Sequence, residues 1–109
     1  MTDQLLDVAD GSMPVHLSRP DGEGPWPGVV VVHDALGMTA DLRRQADWLA
    51  QNGFLAVAPD LYHRNGRLRC MISILRALAA GTGPVFADLD ATRAWVAAFP
   101  ECTGRVAVV

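Results

Sequence analysis

Six residues, His33-Asp34-Ala35-Leu36-Gly37-Met38, follow the β-branched run Gly28-Val29-Val30-Val31-Val32 and precede a helical pattern, which makes them a strand-to-helix turn. Open α/β sheets gather their sites at the carboxyl ends of their strands, where such turns lie. A phosphate-binding loop at this place would be glycine-rich, yet neither G-x-G-x-x-G nor G-x-x-x-x-G-K-[ST] occurs in the chain. This counts against dinucleotides and nucleoside triphosphates. A turn of this shape can instead aim a backbone N–H into the crevice. A donor fixed there in advance stabilises a developing oxyanion by roughly 3 kcal/mol.

The remaining reactive side chains read more simply. Asp34 can cap the loop or the helix that follows, and His33 is expected as a hydrogen-bonded wall residue rather than a base. Asp60 after Pro59 is expected to satisfy nearby N–H groups in a turn. Asp60-x-x-His63 is a lone pair, short of the three or four ligands of a metal site. Cys70 and Cys102 lack metal spacing and, with no export signal in view, read as reduced thiols. Arg67, Arg69 and Arg76 lie along one helical stretch and read as its solvated side. Trp48, Trp95 and Phe99 read as helix packing.

The elements that must position the turn follow from periodicity. Leu5–Ala9 and Met13–Leu17 flank Asp10-Gly11, a dipeptide suited to a tight hairpin. Residues 18–27 form a Pro- and Gly-rich loop with Trp26 as a packing anchor. Thr39 caps a helix running to about Asn52, with Asp41 in its first turn, Leu42, Ala46 and Leu49 on one face, and Gly53 as its stop. Phe54–Ala58 is a strand closed by Pro59-Asp60. Leu68, Ile72, Leu75 and Leu78 mark an amphipathic helix ended by Gly81. Pro84 opens another helix, with Val85, Leu89, Val96 and Phe99 on one face. The final run, Arg105 to Val109, reads as a buried central strand needing neighbours on both edges. The sum is an α/β pattern whose later strands are parallel, organised as one unit over 1–109.

Half of the residues are apolar and 19% are charged, so the chain is expected to fold rather than remain disordered. The net charge is −3, from 9 Lys+Arg against 12 Asp+Glu, and every basic residue is arginine. No basic stripe interleaved with aromatics points to nucleic acid. No apolar run reaches the roughly 18 residues of a membrane span. The expectation is a cytoplasmic protein without membrane or nucleic-acid partners.

Taken together, Val32-His33-Asp34-Ala35-Leu36-Gly37, the Leu42–Ala50 helix, Gly53–Tyr62 with its Pro-Asp-Leu-Tyr, Ala87-Asp88-Leu89-Asp90-Ala91 and Gly104–Val109 resemble the N-terminal half of a dienelactone hydrolase. The resemblance implies the N-terminal part of an α/β-hydrolase fold, and hydrolysis of lactones or esters by a Cys-His-Asp triad without cofactor or metal. It places the nucleophile in a G-x-C-x-G elbow beyond Val109, with Asp and His later still. None of the triad is then present, and the fragment is expected to be inactive. Asp34 stands where many members carry a Glu that tunes the thiol. Ala35 matches the residue whose backbone N–H serves the oxyanion hole. Arg69 is the nearest match to a substrate-carboxylate-binding arginine. The competing expectation is a non-catalytic, degenerate module that binds a ligand or partner protein.

Overall fold

Strand β3 (Trp26–Val30), which leads into the His33-Asp34 turn, is an interior strand of the sheet with a parallel partner on each edge. The computed structural model describes residues 2–8, 11–34, 36–63 and 67–109. The chain runs through β1 (Thr2–Val8), β2 (Gly11–Ser18), β3, α1 (Ala40–Gln51), β4 (Leu55–Pro59), α2 (Arg67–Ala80), α3 (Pro84–Ala97) and β5 (Cys102–Val108). The strands lie in the order β1-β2-β4-β3-β5. β1 and β2 form an antiparallel hairpin, β2 joins β4 antiparallel, and β3 is parallel to both β4 and β5. The hairpin register pairs Val8 with Gly11, while Ala9 and Asp10 of the expected turn lie outside the described residues.

Side-chain alternation along β3 and β4 separates two cores. On one face Val30, Leu55 and Val57 join Met13, Val15 and Leu17 beneath Ala77, Val85 and Val96 of the later helices. On the other, Val29, Val31, Ala56 and Ala58 meet Leu42 and Ala46 of α1. Thr39 caps α1 as expected, its hydroxyl accepting from the Leu42 N–H at 3.2 Å. Gly28 sits where β3, β5 and α3 come together: a Cβ there would lie 3.1 Å from Val106 and 3.5 Å from Val96, so the Val106 side chain would have to give way to admit one.

Within these residues β5 pairs with β3 alone and its other edge is uncovered, with Val108 and Val109 exposed. Two expectations need correction. Leu68, Ile72, Leu75 and Leu78 do share a stripe, but all four are exposed, and α2 buries Cys70 and Ala77 instead. Helical spacing shows which side chains share a face and is silent on what that face meets. Trp95 and Phe99 pack edge-to-face at 4.7 Å, whereas Trp48 is 62% exposed on the outer side of α1 and packs little.

The N-terminal hairpin is fastened by a histidine that no motif singled out. His16 is buried in β2, with Nδ1 2.7 Å from Asp3 of β1 and Nε2 3.0 Å from Asp47 of α1. Arg43 of α1 adds a contact to Asp3 at 3.5 Å. The Asp3 carboxyl is held below its ordinary value of 3.8, first by the His16 hydrogen bond and further by the Arg43 charge, with partial burial opposing.

Two outcomes follow for stability. His16→Leu removes the shared partner of Asp3 and Asp47 and should destabilise the fold by about 1–3 kcal/mol in urea titrations. A carboxyl with a depressed folded pKa stabilises above its unfolded value and loses that contribution as pH falls through the folded one. Asp3→Asn should therefore be less stable than wild type at neutral pH. The gap should close as pH drops below 3.8, which thermal melts at stepped pH will measure.

Candidate active site

The turns leaving β3 and β4 meet at the carboxyl ends of these strands, and His33 joins them. It is 8% exposed. Its Nε2 accepts the Leu61 N–H at 2.9 Å, so that nitrogen carries no proton. The proton is therefore on Nδ1, which donates to the Asp34 carbonyl at 2.8 Å. The Gly37 N–H donates to the same carbonyl at 3.1 Å. With both ring nitrogens engaged, His33 is a structural tie, in line with the reading of it as a wall residue rather than a base.

Each turn is also closed by its own aspartate. Asp34 Oδ1 accepts from the Leu36 N–H, and Asp60 Oδ1 from the Tyr62 N–H, both at 2.9 Å. Tyr62 sets its ring edge-on to His33, with centroids 4.6 Å apart. Gly37 has φ +79°, and a Cβ there would come within 3.0 Å of the Tyr62 ring. The two turns interlock through this contact, which fixes where the β3 turn can sit.

Above them opens a cleft of about 300 Å³. Val32, His33, Asp34, Leu61 and Tyr62 form its floor and rim. Its walls come from the helices: Ile74, Leu75 and Leu78 of α2, then Val85, Phe86 and Leu89 of α3. Sequence reasoning missed this wall. Its only signal was the Leu75/Leu78 spacing, which served equally well for a core face.

A buried pair braces the same end of the sheet. His63 Nε2 lies 3.1 Å from Asp88 Oδ2, with the two side chains 5% and 2% exposed. The Thr92 hydroxyl donates to the Asp88 carbonyl at 2.7 Å. This ties the exit of β4 to α3. Asp60 and His63 thus serve different partners, and no group of three metal-ligating side chains gathers among the described residues.

Of the site residues expected from sequence, Asp34 is on the cleft rim, exposed and engaged with Leu36. Ala35 lies outside the described residues. Arg69 is exposed on α2 and lines a separate groove with Arg76, Thr82 and Pro84, so the structure does not bring it to Asp34. Cys70 is buried in α2 and Cys102 opens β5; neither lines the cleft.

His33→Ala should remove an acceptor from the buried Leu61 N–H and a donor from the Asp34 carbonyl. A loss of about 1–3 kcal/mol is expected. Amide exchange at Leu61 and Gly37 should accelerate more than exchange at Val57 or Ala46, which makes a local loosening distinct from global destabilisation.

Comparison with known proteins sets this geometry in context. The sequence profile described as the dienelactone hydrolase family matches residues 13–109. A carboxymethylenebutenolidase of Pseudomonas sp. strain P51 is 34% identical over 108 residues, covering 91% of this chain and 45% of that protein. A protein of Azospirillum brasilense named "Putative carboxymethylenebutenolidase" is 32% identical, covering 95% of this chain and 46% of its own length. A Klebsiella pneumoniae crystal structure named "Putative Dienelactone Hydrolase" superposes with a TM-score of 0.77 at 30% identity, over 98% of this chain and 47% of that one. The chain thus spans a little under half the length of these relatives. No single helix among the described residues is long and apolar enough to cross a membrane.

Proposed function

The chain belongs to the dienelactone hydrolase family, with the corresponding α/β-hydrolase architecture, and on that basis we propose that it serves the hydrolysis of carboxylic ester or lactone bonds. Its own contribution is the β3 turn and the cleft behind it. The nucleophile and the histidine and aspartate that activate it are not among these 109 residues.

The observation that carries this reading is the His33 tie beneath an apolar cleft. His33 and Gly37 hold the Asp34 carbonyl, which fixes the course of the chain as it leaves Asp34 at the cleft rim. A turn fixed in advance suits an oxyanion hole, which gains its effect by needing no reorganisation during the reaction; the backbone N–H it would offer is assigned to Ala35 by the family resemblance. When the nucleophile adds to the substrate carbonyl, the negative charge passes to the carbonyl oxygen and rests against that N–H. Collapse expels the alcohol, and water then adds to the acyl-enzyme, releasing the acid and the nucleophile. Asp34 at the rim supplies a carboxylate where a neighbouring thiol would be held protonated at rest.

The test compares two preparations on 4-nitrophenyl acetate and on a simple dienelactone. The full product of the gene should turn both over, while the 109-residue chain should not exceed buffer. His33→Ala in the active form should lower kcat on the order of 10²-fold, with a smaller change in KM, as expected when a reacting group is misplaced. Turnover by the 109-residue chain would overturn the placement of the nucleophile. Inactivity of the full product would leave a non-catalytic binding module.

A further inference from the structure

Asp88 sits on α3 with its side chain 2% exposed and bonds at 3.1 Å to His63, whose side chain is 5% exposed. Buried polar groups are costly to separate from their partners, so the pair fixes the distance between α3 and the loop that leaves β4. The α3 end of this link is well anchored. Val85 and Val96 are packed into the core, and the Thr92 hydroxyl donates to the Asp88 carbonyl at 2.7 Å.

From His63 the restraint passes along the chain. Tyr62 is its neighbour, and the Tyr62 N–H is held by Asp60 at 2.9 Å. A planar peptide fixes consecutive Cα atoms about 3.8 Å apart, so His63 cannot shift without carrying Tyr62 with it. The Tyr62 ring meets His33 edge-on, with centroids 4.6 Å apart, and lies where a Cβ on Gly37 would come within 3.0 Å. His33 and Gly37 are the groups that hold the Asp34 carbonyl. A continuous line of contacts thus runs from the Asp88 carboxyl to both supports of the β3 turn.

Resting on the hydrolase reading, we propose that Asp88 is a positioning residue for the reaction. Acting through His63 and the Tyr62 ring, it sets where the β3 turn stands relative to the substrate carbonyl. Loss of the bond frees the Asp60–His63 loop to drift, which displaces the turn without removing any group that touches substrate. Such a displacement weakens interactions made in the transition state more than those that hold the substrate, so it falls on kcat rather than KM.

The test uses the full product of the gene with 4-nitrophenyl acetate, and amide exchange as a readout that needs no turnover. Asp88→Leu fills the volume without the hydrogen bond and should lower kcat about 10- to 100-fold, with KM changed less than about threefold. Exchange at the Gly37 amide should accelerate more than at Val57. His63→Leu removes the same bond from the loop side and should give the same signature, and it carries the comparison should Asp88→Leu not fold. The double variant should be no worse than either single one. Asp88→Asn offers both an acceptor and a donor, so it keeps the bond to either tautomer of His63 and should hold kcat within about threefold of wild type. Val96→Ala opens a cavity in the α3 core beside Gly28 and should lower stability while leaving kcat and the Gly37 exchange pattern in place. Unchanged kcat in both leucine variants would overturn the inference. So would a double variant worse than both singles, Asp88→Asn as impaired as Asp88→Leu, or the same kcat loss in Val96→Ala. An inactive unsubstituted product would instead sink the hydrolase reading, and exchange at Gly37 would then decide alone whether Asp88 holds the turn.

Discussion

Strand β3 must hydrogen-bond along both edges and be covered on both faces, and the remaining architecture answers that requirement. Parallel partners cannot be reached through a tight turn, so the chain must cross over the sheet to place β4 on one side and β5 on the other. The two crossovers travel in opposite directions across β3. With the usual right-handed connection they fall on opposite faces, which is where α1 and α3 are found. The β3 turn therefore emerges where neighbouring connections diverge, and a crevice opens there for geometric reasons. The cleft is a by-product of burying one strand.

What turns that crevice into a defined site is a single neutral imidazole. His33 accepts from the β4 turn and donates to its own turn, so two loops that would otherwise move separately share one buried ring. The Tyr62 edge contact and the glycine at 37 complete the fit. Because one nitrogen accepts and the other donates, the tie requires the neutral ring. A protonated ring would place a donor against the Leu61 N–H.

Much of this was legible in the sequence, for identifiable reasons. Thr39, Gly53 and Pro84 mark helix ends through local chemistry, and the valines from 29 to 32 name a buried strand without reference to anything distant. The turn at His33-Asp34 was recognised by position and residue type. The fate of exposed or buried stripes was not legible, because it depends on what another element supplies. Leu75 and Leu78 look like core residues by spacing and instead wall a cleft. Trp48 looks like packing by size and lies on the surface. His16 carried no motif at all, since its partners come from 13 residues before it and 31 after. A hydrogen-bonded cluster assembled from three elements leaves no local pattern.

The two sides of the sheet are built from different stock. Toward α1 the fully buried Ala46, Ala56 and Ala58 alternate with Val29, Val31 and Leu42, so an added methylene at any of the three alanines must displace packed neighbours. Toward α3 the branched side chains of Leu55, Val57, Val85 and Val96 interdigitate and can exchange volume among themselves. Lineages of this chain should consequently drift unevenly. The α1 side should keep its three alanines, while the α3 side explores compensated swaps and with them reshapes the cleft that Val85 also borders.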